Sequence, residues 1–478
     1  MERKIIGRKP DALFLNFERI SAIPRPSYHE ERIAAFLENF AKERGFFAVR
    51  DQANNVFVRM PATPGCEKIP PVLLQAHTDM VCEKNAGVEH DFMADGIDLV
   101  VDGNFLHANG TTLGADDGIG VAVAMTVLSG EIPRHPVVEC LFTSSEEVGL
   151  GGVCEFDFSL VTARRMLNID NNELGLVTCG SCGGLRTDMT LRGKREDDLR
   201  PALKLSFSGF AGGHSGENIH EGRANAIRAM GLLLKSLSDL PGFRIASLDG
   251  GGKTNAIPRA CQAIVGADDP DALADAAEAF AKDYLSGLLP IDRGATFAVE
   301  SFGDAFCFTK EDTARLLSIL TESKTGVIAM SRAKPDFVEW SQNLGVVTTE
   351  DDDVAILLSS RSSVESQLDA SEEELTALAK KNGAAVKCHN RYTGWEFAPV
   401  SDLRDRYLAA YRHALGKEAR VNIIHAGLEC GEIFGKVPDM DMISISPSVH
   451  DLHSPDERLD LDSAEAFWKT IERFFEEL

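Results

Sequence analysis

The chain reads as an α/β protein built on an open sheet, with an α+β domain inserted into it. Three observations predict this. Apolar, strand-like runs repeatedly end by presenting an acid or a histidine, and open α/β sheets place their ligand sites at such strand ends. Four of these clusters fall between residues 77 and 170, and a long gap then precedes a last one around His453. A chain that leaves a site and returns to complete it carries an insertion. At 478 residues it is also too long for one typical core, so two domains are expected.

The first run covers residues 72–79 and ends in His77 and Asp79. Side chains two apart on a strand point the same way, so both groups face one place. A neutral imidazole binds a transition metal and a neighbouring carboxylate orients it, although such a pair taken alone is more often a strand-end hydrogen bond. The second cluster, Gly114-Ala115-Asp116-Asp117-Gly118, is a glycine-rich turn leading into the helix-like apolar run 121–128. Asp116 and Asp117 then lie near a helix N-terminus, where negative charge is favoured whether or not it ligates anything. Residues 137–143 form a β-rich strand followed by Ser144-Ser145-Glu146-Glu147. Adjacent glutamates leaving a buried strand are costly unless something cationic receives them. One of them can ligate a metal while the other takes a proton from water. A fourth strand, 165–169, ends at Asp170 with Glu173 close behind. The last cluster follows the run 443–447 and holds His450, His453, Asp456 and Glu457.

The insert is expected at residues 187–396, between a first segment, 1–186, and a returning one, 397–478. Residues 202–210 alternate like a strand, 224–235 and 271–281 read as helices, and the strand 353–360 completes an α+β picture. No repeat, low-complexity tract or flexible linker is visible.

Composition limits the function classes. Hydrophobic content of 44% and charged content of 26% are ordinary for a globular protein. The 49 basic and 74 acidic residues leave a net charge of −25, which argues against nucleic-acid and anionic-membrane partners. Positions 1–10 lack an apolar stretch after their basic residues, so no signal peptide is expected, and no run approaches the roughly 18–20 apolar residues of a membrane span. The ten cysteines are scattered, as reduced thiols of a cytoplasmic protein would be. Cys179 and Cys182 have C-x-x-C spacing, but no second pair completes a structural zinc site.

Taken together, His77-Thr78-Asp79, Gly114-Ala115-Asp116-Asp117-Gly118, Glu146-Glu147-Val148-Gly149, Asn168-Ile169-Asp170 and His453-Ser454-Pro455 resemble the motifs of the dinuclear zinc aminopeptidases and carboxypeptidases. Within that superfamily the chain is most similar to the cytosolic aminoacyl-histidine dipeptidases. Further stretches carry the likeness: residues 23–31, Gly212-Gly213-His214-Ser215-Gly216, and Ile424-His425-Ala426-Gly427-Leu428-Glu429. The resemblance therefore covers essentially the whole chain. It implies a catalytic α/β domain with a central, mostly parallel mixed sheet, plus an inserted α+β lid domain through which a homodimer forms.

The resemblance also implies roles. Asp116 would bridge two Zn²⁺ ions per subunit, with Co²⁺ or Mn²⁺ as possible substitutes. His77 and Asp170 would serve one ion, Glu147 and His453 the other. Asp79 would hold His77 in its tautomer, and Glu146 would be the general base. His214 would stabilise the oxyanion. Asn255, Arg361 and the backbone of Gly427 would hold the substrate, Arg361 reading its C-terminal carboxylate, although without the likeness Arg361 reads as a surface ion pair. The family motif more often has Asn where Asp117 stands. Glu173 is an alternative to Asp170, and His220, His425 and His450 are expected in hydrogen bonds or packing. The implied activity is hydrolysis of Xaa-His-type and other dipeptides. A related dizinc amidohydrolase acting on N-acyl amino acids or other short peptides is the enzymatic alternative, and a peptide-binding homologue the non-enzymatic one. An intact Glu146 argues against the latter, because a binder needs no base.

Overall fold

Two strands that are buried along their whole length, Val72–His77 and Val138–Thr143, set the architecture of the computed structural model, which describes residues 3–478. Such runs are read by both faces of a sheet and need helices on each side. The chain divides into two compact units.

The first unit comprises the chain through Ser181, Phe397–Ile423 and Leu428–Leu478. Its eight-stranded sheet runs Phe47–Arg50, Val56–Met60, Val138–Thr143, Val72–His77, Arg165–Asn168, Asp441–Ser444, Leu176–Ser181, Arg420–Ile424. The four middle strands, from Val138–Thr143 to Asp441–Ser444, pair in parallel. Antiparallel pairs flank them. The sheet is thus mixed, with a parallel heart. The chain leaves Val72–His77 towards one side and Arg165–Asn168 towards the other, so the order switches between these neighbours. Ligands bind at such a switch, beyond the strands' C-terminal ends. Those ends carry His77, Glu146, Glu147 and Asp170.

The helix Ala115–Thr126 is buried almost throughout, as its apolar sequence requires. Its first regular turn begins only after Asp117, because Asp116 and Asp117 have non-helical backbones. Helices Asp11–Ser21 and Leu461–Glu476 complete the core through Phe14, Phe17, Phe467 and Trp468. A small antiparallel sheet holds Val449–His450 against Arg458–Asp460, so His453 lies in the connecting loop.

The second unit, Cys182–Glu396 with Ile424–Gly427, starts five residues before the expected insert and gains a returning tetrapeptide. Gly427 thereby groups with His214, Asn255 and Arg361. Its nine-stranded sheet is antiparallel in every pair described here, with helices Ala226–Leu237, Pro270–Ser286, Lys310–Glu322 and Glu365–Lys381. Ser, Thr or Asn/Asp capping sharpens several starts. Asn225 accepts from Ile227 and Arg228 N–H, and Asp269 precedes Pro270. Among the described residues no helix is long and apolar enough to cross a membrane.

Candidate metal centre and substrate residues

The first unit brings five of the expected ligand side chains together. His77 Nε2 lies 3.1 Å from Asp116 Oδ1 and 3.8 Å from Asp170 Oδ1. His453 Nε2 lies 3.2 Å from Asp116 Oδ2 and 3.1 Å from Glu147 Oε2. Asp116 therefore offers one oxygen to each histidine. Two clusters share it: His77, Asp116 and Asp170, and Asp116, Glu147 and His453, each with ligand atoms within 4.8 Å of one another. Glu146 joins His77 and Glu147 in a third.

The electrostatics of this ring call for cations. Burial pushes the carboxyl of Asp170 far above its ordinary value, Asp117, Asp116 and Glu146 adding repulsion. Burial likewise pushes Glu146 up to about 8, with Glu429, Glu147 and Asp116 contributing and His77 opposing. The hydrogen bonds to Asp116 and Glu147 raise His453 to about 10. Glu147 Oε1 is buried with no hydrogen-bond partner. Excess buried negative charge, an orphaned carboxylate oxygen and two imidazole nitrogens aimed at one shared carboxylate fit a pair of divalent cations.

The other acids and histidines are occupied elsewhere. Asp117 is buried and accepts the backbone N–H groups of His77 and Gly120, each at 3.2 Å. Glu173 pairs with Arg420. His450 is exposed and packs edge-on against Phe105.

Several supporting groups escape a reading of the sequence. Asp79 Oδ1 stands 3.4 Å from His77 Nδ1, but its two oxygens also accept the N–H groups of Glu146 (3.0 Å) and Glu147 (3.2 Å). Glu30 accepts from both the N–H and the hydroxyl of Ser145, whose φ is +52°. Arg25 is 2% exposed and donates to the carbonyls of Thr78, Asp79 and Gly114. Glu429 accepts from Gln75 (2.6 Å) and Thr143 (2.8 Å) beneath the strand ends. Glu457 binds the backbone of residues 113–116. The stretch 23–31 was the available signal for Arg25 and Glu30.

In the second unit a two-stranded ladder pairs His214 with Ala256, and Ser215 N–H bonds the carbonyl of Asn255, so His214 and Asn255 are neighbours. His214 Nδ1 accepts from Glu217 N–H, which leaves the proton on Nε2. Burial, then the charge of Arg361, holds His214 below its ordinary value. Arg361 sits in no ion pair among the described residues, contrary to a surface-pair reading. Nη1 donates to Tyr392 Oη at 3.1 Å and Nε is buried without a partner. The Tyr392 ring lies where a Cβ on Gly427 would collide, at 2.8 Å. His425 is clasped by the Cys182 thiol (2.9 Å) and the Ser341 hydroxyl (2.6 Å), so Cys182 is occupied in packing rather than in metal binding.

The model of peptidase family M20/M25/M40 matches residues 73–477. The chain belongs to that family: it is a hydrolase of peptide bonds, and membership of these metallopeptidases implies divalent-metal binding. It is 35% identical over 476 residues to the cytosol non-specific dipeptidase of Escherichia coli (strain K12), covering 98% of each chain. The crystal structure of aminoacylhistidine dipeptidase from Vibrio alginolyticus is similar at a TM-score of 0.94 and 35% identity, covering 98% of this chain and 97% of that one. An aminopeptidase from Bacillus cereus shares the fold at a TM-score of 0.58 and 16% identity, covering 98% and 99%.

Proposed function

We propose that the protein is a metal-dependent dipeptidase acting on Xaa-His-type and other dipeptides. The observation that carries the dipeptide class is Arg361, a half-buried guanidinium left without a carboxylate in a chain of net charge −25. A guanidinium kept unpaired in such a background suits an anionic ligand, and the free carboxylate of a dipeptide is one it would grip in bidentate fashion. The two dipeptidases similar over the whole chain support the same reading.

Two divalent ions, zinc in the first place with Co²⁺ or Mn²⁺ as substitutes, would be held by His77 and Asp170 on one side, Glu147 and His453 on the other, and Asp116 between, and would supply Lewis acidity that makes water ionisable near neutral pH. Glu146, within contact distance of His77 and Glu147, takes the proton from water as oxygen attacks the peptide carbon. It returns that proton to the nitrogen as the C–N bond breaks. The Nε2–H of His214 donates to the developing oxyanion. Asn255 and the Gly427 backbone complete substrate holding, with Arg361 on the carboxylate.

The relative named for the cytosol supports a cytoplasmic setting. A homodimer through the second unit belongs to the same proposal. Its long edge strand Thr296–Phe308 exposes Phe302 and Phe306, an edge that pairing or packing would cover.

A panel of dipeptides, tripeptides, N-acyl amino acids and C-amidated dipeptides, run with defined metal loading, tests the reading. Free dipeptides should have the highest kcat/KM. Preference for N-acyl amino acids would replace it with the amidohydrolase reading, and no hydrolysis of any would leave a binding protein.

A further inference from the structure

The two sides of the metal centre are not equally supported. His77 ends a strand laddered on both sides, and Asp170 follows Ile169, whose N–H bonds the Gln75 carbonyl at 2.8 Å. That half rests on the sheet. His453 instead rides in the 451–457 loop, half exposed and at φ +59°. The loop's own bonds are short-range: Ser454 to the Asp451 carbonyl, Glu457 N–H to the Ser454 carbonyl, and Arg458 to Asp451.

Besides the His453–Asp116 contact itself, one buried carboxylate ties this loop to the shared ligand. Glu457, 2% exposed, sits between the loop and the strand Arg458–Asp460. Its Oε2 accepts the N–H groups of Leu113 and Gly114, both at 2.8 Å, and its Oε1 those of Ala115 (2.8 Å) and Asp116 (3.2 Å). Four successive backbone donors thus converge on one side chain, which satisfies groups that the irregular start of the Ala115–Thr126 helix leaves unpaired. The same carboxylate fixes the spacing between the Asp116 peptide and the loop that carries His453.

We propose that Glu457 is a positioning residue that sets the affinity of the His453-side cation position, and so decides whether the enzyme carries one divalent ion or two. This rests on the dinuclear reading above. The His77–Asp170 side keeps its ladder and its Asp117 clamp when Glu457 is changed. The His453 side loses its only buried tether from that loop to residues 113–116 among the contacts described above. In Glu457→Gln an amide NH₂ faces two N–H donors that had an oxygen, so half the cradle becomes repulsive.

The test is titration of the full, chelator-stripped chain with Co²⁺, followed by calorimetry and by the visible absorption of the bound ion. Wild type is expected to bind two equivalents. Glu457→Gln should hold the first within about threefold of wild type and the second about 10- to 100-fold more weakly, the usual span for removing a partner behind a metal ligand. Its absorption should stop at the one-ion spectrum until Co²⁺ is raised by that factor. Glu457→Asp, which keeps the charge one methylene short, should fall between the two and carries the test if the amide variant does not fold. Unchanged binding of both equivalents overturns the proposal, as does equal weakening of both. If wild type itself binds fewer than two ions, the dinuclear reading fails and this inference with it.

Discussion

At the scale of single residues, Asp79 shows how one side chain serves two tasks. From the sequence its expected task is to hold His77, and its Oδ1 does stand 3.4 Å from the ring. Its oxygens also pin the N–H groups of Glu146 and Glu147, which aims both glutamates away from their strand. The doublet is thereby split by geometry: Glu147 meets His453 at 3.1 Å, whereas Glu146 makes no such pair with that histidine. In Glu146→Gln the backbone bond to Asp79 survives and the proposed base is gone. Turnover should fall by about 10²–10⁴-fold, with two equivalents of metal still found by mass spectrometry. Activity within tenfold of wild type would remove Glu146 from the base role. The ligand-type residues were legible because each lies in a contiguous motif at a strand end. Glu457 was not, because its partner Leu113 stands 344 positions away and nothing local marks a carboxylate that binds backbone. Tyr392 was missed for the same reason, since its contacts with Arg361 and Gly427 exist only after folding.

At the scale of elements, the helix Ala115–Thr126 fills the space beneath the switch in the sheet, and its glycines record how tightly. A Cβ on Gly120 would come 2.4 Å from the Ile169 carbonyl and 2.5 Å from Asp117 Oδ1. Neither can yield: one belongs to the peptide before Asp170, the other to the carboxylate whose second oxygen holds His77 N–H. Gly120→Ala should therefore cost about 1–3 kcal/mol of stability as overpacking, and it should weaken metal binding as well. Gly287→Ala, at an ordinary helix-end backbone whose Cβ would meet nothing closer than 3.6 Å, should leave the melting temperature near wild type. Equal melting of both variants would contradict the tight-packing account. The returning tetrapeptide Ile424–Gly427 carries a pH signature. Burial, then Arg361, depresses His425 to about 3. The native ring thus stays neutral while the unfolded one, with an ordinary value near 6.5, takes a proton. Stability is full above about pH 6.5 and falls as pH drops towards 3. His425→Gln should flatten that part of the urea-midpoint profile by about one proton, and an unaltered slope would show that His425 titrates normally.

At the scale of the molecule, the expectation of an insert came from the gap in ligand-type clusters between Asp170 and the last cluster around His453. Its edges were harder to read: residues 182–186 and 424–427 join the second unit by strand pairing and by bonds such as Cys182 N–H to the Ala426 carbonyl at 2.9 Å, which no local composition announces. The antiparallel flanks of the first sheet were also hidden, since buried parallel and antiparallel strands share one apolar pattern. The division of labour between units has a kinetic consequence. The first holds the acids proposed to activate water, while Arg361 in the second is proposed to read the substrate's free carboxylate. Amidating a dipeptide should then lower kcat/KM sharply in the wild type, and in Arg361→Ala the same amidation should matter little, because the partner charge is already gone. Losing one half of such a charge-assisted pair costs about 2–5 kcal/mol, or roughly thirty- to several-thousand-fold in rate. A solvent-exposed pair would cost under about 1 kcal/mol and show no dependence on amidation. The Tyr392 hydroxyl, 3.1 Å from Arg361 Nη1, provides a graded control: Tyr392→Phe should weaken the amidation effect without erasing it. Two values of kcat/KM for each variant, with and without the terminal charge, decide the matter. If amidation penalises wild type and Arg361→Ala alike, the carboxylate is read elsewhere and the dipeptide class loses the residue on which it rests.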